Sequence, residues 1–363
     1  VKSVSIIGKG TAGCLAYLNV SQIQRLNKDL RLKIDWYYNS KEDPQSVGEG
    51  TTPVFTSTLA ESGVLVDNHQ MYKLDARPKL GIEYINWGNT DYVHPFYLGR
   101  HGVHFNASKF QDLIFNEYTD HTNVTLIDKN VKHSDIDADI IIDCSGKPDS
   151  LDNYDIPKYI PVNAVNIHQC SWKEEPKYLY TKTIARPWGW VFVIPLTTRC
   201  SVGYLYNKDI TPLESIEEDI QEVIYDLDIK SKHSRSFHFD NYVRKHIFED
   251  RALYVGNSGF FLEPMEATTL DAVSRALQSV EHKLYCNDNA LYNDHMKYFF
   301  QEVERFIMMH YAAGSRWKNE FWSFAQERGR LALEERFSPR IDYNPYFTGY
   351  SWDVNRKGLC LSD

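Results

Sequence analysis

VSIIGKGTAGCLA, residues 4–16, runs from a short β-prone stretch through a glycine turn into a segment of helical composition. Gly8, Gly10 and Gly13 stand in GxGxxG spacing. Strand, glycine turn and helix in that order are the context a dinucleotide fingerprint requires. Gly8 permits the tight turn, Gly10 lets backbone approach a pyrophosphate, and Gly13 lets the helix pack on the strand. The helix N-terminus then offers free N–H groups to the negative charge.

Three later segments extend the same architecture. Residues 32–38 read as the second strand, and its end should carry an acid for the adenosine ribose; Asn39 and Ser40 stand there instead. Residues 138–146 read as a buried strand closing on Cys144, Ser145 and Gly146. Residues 252–259 are another strand-to-glycine turn, with Asn257 where flavoproteins often place an acid on the ribityl chain. Four such signals point to one flavin-binding sheet split by insertions.

The bulk numbers narrow the class. With 363 residues, 42% of them hydrophobic, the chain can bury a substantial core. No run approaches the roughly 18 apolar residues of a membrane span, and no signal-peptide pattern opens the chain, so a soluble, cytoplasmic protein is expected. A net charge of −9 without a Lys/Arg block argues against nucleic acid as a partner. The six cysteines lie far apart with no CxxC spacing, which suggests free thiols in a reducing compartment and no metal site. Aromatic residues make up 14%, consistent with a large aromatic core or a pocket for a flat substrate.

Six blocks in order then resemble the flavin-dependent tryptophan halogenases. GKGTAG at 8–13, which includes Thr11 and Ala12, is similar to that family's GxGTAG turn. VGEGTTP at 47–53, with Glu49, resembles the strap linking its flavin and substrate sites. KLGIEYINW at 79–87 resembles the block of its catalytic lysine, and GWVFVIPL at 189–196 its GWxWxIP signature, with Phe192 for the second Trp. PMEATT at 264–269 is similar to its PLEST-G block, and RFIMMHY at 305–311, followed by Phe321 and Trp322, to a helix of the family.

The resemblance implies an α/β fold: a GR2-type, Rossmann-like FAD-binding module at 1–60, 95–150 and 240–285, a β-rich substrate insertion at 61–94 and 151–239, and a helical cap at 286–363. All 363 residues would form a single compact unit. Periodicity places helices over 215–228 and 293–309. The implied flavin contacts are Gly8, Gly10, Thr11, Ala12, Gly13, Asn39, Ser40, Glu49, Val131, Asn257 and Leu270.

The implied chemistry is halogenation of an indole- or phenol-like aromatic substrate. It uses FADH2 from a transiently bound flavin reductase, O2 and halide. Hypohalous acid would reach Lys79 through an internal tunnel, Glu266 would serve as acid–base partner, and Thr268 and Thr269 would hold the halide. Thr269 replaces the family's glycine, and the expected halides are bromide or iodide, which cost less to desolvate than chloride. Trp190 and Phe192 would wall the substrate from the flavin, although alternating positions 190, 192 and 194 also make an ordinary buried strand face. His101 would line the aromatic pocket; HGVH at 101–104 lacks a third metal ligand. For Trp317, Phe321, Trp322, Tyr343, Tyr346, Phe347, Tyr350 and Trp352 taken singly, core packing or a surface turn is the better reading.

The chain ends sooner after Phe321 and Trp322 than is usual in the family. The resemblance then implies a substrate other than free tryptophan, with a more open pocket or one completed by a neighbouring subunit of a homo-oligomer. Two alternatives remain at this point: a flavin-dependent aromatic monooxygenase, and a degenerate relative that binds flavin without halogenating. Asn39 and Asn257 favour the second slightly.

Overall fold

The computed structural model describes residues 2–42, 50–64, 67–174, 176–286, 289–335 and 347–361. The fold is mixed α/β. Where the sequence reading has one unit over 1–363, the structure divides into two. One comprises Val1–Leu74, Phe105–Ile156 and Tyr242–Tyr298; the other comprises Asp75–His104, Pro157–Asn241 and Phe299–Asp363.

The first unit is built on a six-stranded sheet in the order Phe248–Glu249, Ala252–Tyr254, Ile140–Asp143, Lys2–Ile7, Leu32–Tyr38, Val124–Asp128. All its pairings are parallel except that of the two strands nearest the Phe248 edge. Parallel strands need helical crossovers that cover both faces, and the strands read accordingly: Val4, Ile6, Ile34, Trp36, Ile140, Ile141 and Ile142 are all buried. The strands expected at 4–7, 32–38, 138–146 and 252–259 are present, and the helix Thr11–Leu26 follows the glycine turn directly.

The second unit carries a seven-stranded sheet in the order Ile229–His238, Ala164–Trp172, Arg199–Tyr206, Gly189–Pro195, Tyr180–Arg186, Gly81–Ile85, Tyr92–Pro95. One face packs on the helix Leu213–Asp226, through Val191, Val193, Val202 and Tyr204 against Ile216, Ile220 and Val223. Trp190, Phe192 and Ile194 alternate with the first two and point the other way, and all seven residues of Gly189–Pro195 are buried. Gly203 stands opposite Phe192, and a Cβ there would lie 2.1 Å from the Phe192 ring. The glycine makes room for the aromatic.

The expected module boundaries shift for a physical reason. Residues 95–104 group with the second unit because the strand Gly102–His104 pairs antiparallel with Arg77–Lys79. The helices expected at 215–228 and 293–309 appear as Leu213–Asp226 and Ala290–Ala313. Among the described residues no helix is long and apolar enough to cross a membrane.

Candidate active-site residues

The glycine turn of the first unit is clamped from both sides. Gly8 donates its N–H to the Tyr37 carbonyl at 2.8 Å, and its own carbonyl accepts from the Trp36 indole at 2.8 Å. It sits at φ +97°, and a Cβ there would lie 2.3 Å from the Cys144 oxygen. A Cβ on Gly13 would lie 2.0 Å from the Gly8 oxygen. Neither position admits a side chain. Gly10 is the N-cap of Thr11–Leu26, with no side-chain capping bond and no acid in the first turn. The leading amides of that helix are therefore available to an anion.

Around the turn, the Thr11 hydroxyl accepts from Gln111 at 3.1 Å. Gly256 at φ +69° approaches Ala12, and a Cβ there would lie 2.9 Å from the Ala12 methyl. Asn257 follows in a short 3-10 turn, where its carbonyl accepts from the Tyr242 hydroxyl at 2.8 Å. Val131 packs half-buried against Ile7, Ile136 and Ile141. Asp143, one residue before Cys144, accepts from His133 at 2.7 Å and from the Ser145 amide at 2.9 Å. Burial would push its carboxyl up, but those hydrogen bonds win and hold it below the usual carboxylate range.

At the end of the second strand, Asn39 closes its own turn. Its side-chain oxygen accepts from the Lys41 amide at 2.9 Å and its side-chain nitrogen donates to Glu42 at 2.9 Å. The Ser40 amide donates to the Asp128 carboxylate at 2.9 Å. Asp128 ends the neighbouring strand opposite Tyr38, and the Ser40 hydrogen bonds hold its carboxyl below the ordinary range. A carboxylate thus stands at this strand end after all, contributed by another strand. No local pattern in the sequence announces it, because parallel pairing alone puts it there. Glu49 lies outside the described residues.

The PMEATT block forms a 3-10 turn, Met265–Ala267, leading into the helix Thr269–Tyr285. Glu266 is buried and sits at φ +65°, and Ala267 follows at φ +52°. Two consecutive non-glycine residues in the left-handed region cost of order 1–3 kcal/mol each, and such strain clusters at functional turns. Thr268 is buried at the helix N-cap and makes no side-chain capping bond, Thr269 is half-buried, and Leu270 is buried in the first turn. Burial pushes the Asp271 carboxyl up against the pull of Arg275, whose guanidinium donates to it at 2.9 Å.

In the second unit, the ribbon Arg77–Lys79 pairs with Gly102–His104 in the register Arg77↔His104 and Lys79↔Gly102. Directly paired residues share a face and side chains alternate along a strand. Arg77, Lys79 and His104 therefore project from one face. All three are buried, Lys79 and His104 with 0% exposure. The Lys79 ammonium nitrogen lies 5.6 Å from the centroid of Phe96, within the range of a cation–π contact. His104 shares a 2.8 Å hydrogen bond, through Nε2, with the Thr181 hydroxyl. Arg77 donates to the Pro176 carbonyl at 2.7 Å. His101, one residue before the ribbon, is exposed. Sequence reasoning singled out His101 for the aromatic pocket and placed His104 beside flavin or substrate, but the pairing of His104 with Arg77 was not legible in it.

Trp190 donates from its indole to the Tyr311 hydroxyl at 2.9 Å and sits among Trp87 and Phe192, with ring centroids 6.4 Å away in each case. Trp87 meets Trp322 edge-on at 5.3 Å. Phe321, Trp322 and Trp352 are buried, whereas Tyr343 and Tyr346 lie outside the described residues. Among the described residues no group of three metal-ligating side chains forms.

The predicted residues are thus divided. Gly8, Gly10, Thr11, Ala12, Gly13, Asn39, Ser40, Val131, Asn257, Glu266, Thr268, Thr269 and Leu270 belong to the first unit; Lys79, His101, Trp190 and Phe192 belong to the second.

The family model "Tryptophan halogenase" matches residues 3–134 and 100–343. The chain belongs to that family. Among its relatives, tryptophan 6-halogenase SttH of Streptomyces toxytricini is 24% identical over 227 residues, which are 58% of this chain and 42% of SttH. The chain therefore spans less than half the length of that relative.

Solved structures extend the likeness to the fold. The flavin-dependent halogenase BrvH from Brevundimonas sp. BAL3 superposes with a TM-score of 0.83 at 20% identity, covering 99% of this chain and 90% of BrvH. A tryptophan halogenase from Shewanella frigidimarina NCIMB 400 gives 0.84 at 20% identity, covering 99% and 89%. This member of the family keeps the fold across that sequence distance.

Proposed function

We propose that the chain halogenates an indole- or phenol-like aromatic substrate through hypohalous acid delivered to Lys79. The supporting observation is Lys79 itself: a lysine with 0% exposure beside the Phe96 ring, in the block where the family resemblance expects the catalytic amine. Burying an ammonium is costly, and a buried amine that can shed its proton is useful to catalysis. Here Lys79 either donates a hydrogen bond to the oxygen of hypohalous acid or, as the free amine, takes the halogen as a haloamine while the O–halogen bond breaks and the oxygen leaves as water with the amine's proton.

The first unit's residues fit FAD. The open amides after Gly10 suit its diphosphate, and Asp128 stands at the strand end where an acid for the adenosine ribose is expected. Bound in reduced form, after delivery by a separate reductase, FAD with O2 and halide supplies the hypohalous acid. Glu266, a buried carboxylate, takes the proton that leaves the ring as halogen enters, and stabilises the positive intermediate before that. Thr268 and the helix amides beside it hold the halide. Thr269, in place of glycine, reshapes that site, and bromide or iodide is preferred because the larger anions cost less to desolvate and are oxidised more easily than chloride. Trp190, buried among aromatics, keeps organic substrate from the place where oxidant forms.

The test combines the protein, a flavin reductase, NADH, FAD and chloride, bromide or iodide with a panel of indoles and phenols. Halide-dependent halogenated product is expected, with bromide or iodide ahead of chloride. Oxygenated product without halide would point to a monooxygenase. Flavin binding without halogenated product would point to a degenerate flavin-binding relative, and unchanged flavin fluorescence with no oxidation of added reduced flavin to one that merely keeps the fold. Product from Lys79→Ala equal to wild type would mean freely diffusing oxidant and would end the assignment of Lys79.

A further inference from the structure

Resting on the halogenase reading, we propose that Asp75 is a positioning residue for Lys79. Its buried carboxylate ties the head of the lysine ribbon to the tip of the hairpin that carries Trp190, and so sets where the amine meets the oxidised halogen. All of these residues lie in the second unit. The ribbon cannot hold that place alone. Arg77–Lys79 is three residues long and, among the described residues, pairs only with Gly102–His104. Its middle residue is Pro78, which has no N–H to give to a ladder. Beyond Lys79 the chain is fixed: the Leu80 amide donates to the Leu179 carbonyl at 2.8 Å, and Gly81–Ile85 joins the seven-stranded sheet beside Tyr180–Arg186. Ahead of it, the fixed point is Asp75.

The hairpin tip supplies the other half of the tie. Strands Gly189–Pro195 and Arg199–Tyr206 turn through Thr197 and Thr198, and the Leu196 amide closes the turn on the Arg199 carbonyl at 2.9 Å. Tight two-residue hairpins favour glycine, asparagine or aspartate at positive φ, and neither threonine has positive φ. Such a turn does not match the strand twist by itself, and here it is held from outside. The Thr198 amide and hydroxyl donate to the two Asp75 carboxylate oxygens, at 2.8 Å and 2.7 Å. The Thr197 amide donates to the Asp75 carbonyl at 3.3 Å, and the Thr197 hydroxyl to the Ala76 carbonyl at 3.1 Å.

Asp75 takes on strain to make this tie. It is 2% exposed and sits at φ +53°, in left-handed backbone that a side chain disfavours. Glycine would relieve the backbone but leave the Thr198 amide and hydroxyl without their acceptor. Hydrogen bonds to a carboxylate are the strong class, so the anchor is stiff. Lys79 lies four residues beyond it. A shift at the head of the ribbon is carried to the amine, and misplacing a reacting group by about 1 Å costs up to about 10²-fold in rate.

The experiment compares wild type with Asp75→Ala, Asp75→Asn and Thr198→Val, in turnover with bromide, an indole and a diffusible halogen trap. The quantity read is the share of oxidised halogen that appears in aromatic product. It should drop about tenfold in Asp75→Ala, and by less in Thr198→Val, which keeps the amide bond. Asp75→Asn should retain nearly all of it, because the amide oxygen accepts from the Thr198 N–H and the amide nitrogen donates to the Thr198 hydroxyl. Thr198→Val added to Asp75→Ala should cost nothing more. In protein labelled with 13C-lysine, the Lys79 signal is identified by its loss in Lys79→Arg. That signal should move in Asp75→Ala and stay in Asp75→Asn.

A carboxylate that only stabilises the fold lowers the melting temperature of Asp75→Ala and leaves the product share and the Lys79 signal where they were. That result overturns the proposal, as does an Asp75→Asn variant no better than Asp75→Ala. If Asp75→Ala fails to fold, Thr198→Val decides, and an unchanged share with an unmoved Lys79 signal overturns the proposal there. A wild-type protein that oxidises no halide sinks the halogenase reading, and the Lys79 signal still decides whether Asp75 places the amine.

Discussion

The glycine turn at 8–13 and the Lys79 ribbon are shaped in opposite ways. In the turn, the backbone does the work: Gly8 and Gly13 leave no space for a side chain, and the amides beyond Gly10 are left open. In the ribbon, backbone pairing is only a frame. What matters there is that three basic side chains share a dry face, with Lys79 at 0% exposure. A site built from backbone tolerates no added atom; a site built from buried charge tolerates no lost partner.

Crossing the two regions gives the largest effect. Lys79→Ala should cut halogenated product by 10²–10⁴-fold, on the order of other positioned acid–base groups, with flavin binding unchanged. Gly8→Ala should do the reverse: at φ +97° and 2.3 Å from the Cys144 oxygen it forces the turn apart, lowering stability by about 3 kcal/mol or more and flavin affinity with it. Flavin fluorescence titration and thermal melts on both variants read the contrast. If Gly8→Ala binds flavin as wild type does, the turn is not the cofactor site.

The ribbon should also show itself in acid. His104 is neutral when folded, with a pKa well below its ordinary value of 6.5. The unfolded chain therefore binds the proton that the folded one refuses. Stability is complete above the ordinary value and is lost as pH falls below it, by about 1.4 kcal/mol per pH unit until the folded group titrates. Urea unfolding between neutral pH and pH 5 should show that slope in wild type and a shallower one in His104→Asn; parallel slopes would mean that His104 is protonated in the native state. The smallest effect lies in the Glu266 turn. Ala267→Gly relieves a residue at φ +52° and should raise stability by about 1 kcal/mol, a few degrees in melting temperature. A loss instead would mean that the alanine methyl supports the turn more than its backbone resists.

Much of this was readable in advance, for different reasons. The strands Lys2–Ile7, Leu32–Tyr38, Ile140–Asp143 and Ala252–Tyr254 announce themselves as apolar runs closing on glycine or small polar residues. The alternation of Trp190, Phe192 and Ile194 against Val191 and Val193 is legible as a strand, but only the structure shows that both faces are buried. Asn39 stands where an acid for the ribose is expected, and the structure ties its side chain into its own turn and brings Asp128 to the same strand end. His101 stood out for its place in HGVH, yet it is exposed and the buried partner of the ribbon is His104.

The sequence by itself determined the glycine turn, the strands around it and the family, because glycine spacing and apolar runs are local restraints that each segment imposes on its own backbone. Only the tertiary structure decided which histidine shares a face with Lys79 and which carboxylate reaches the end of the second strand. Those depend on the pairing of residues 77–79 with 102–104 and of 34–38 with 124–128. Burial and charge proximity arise when distant segments meet, and no single segment carries that information.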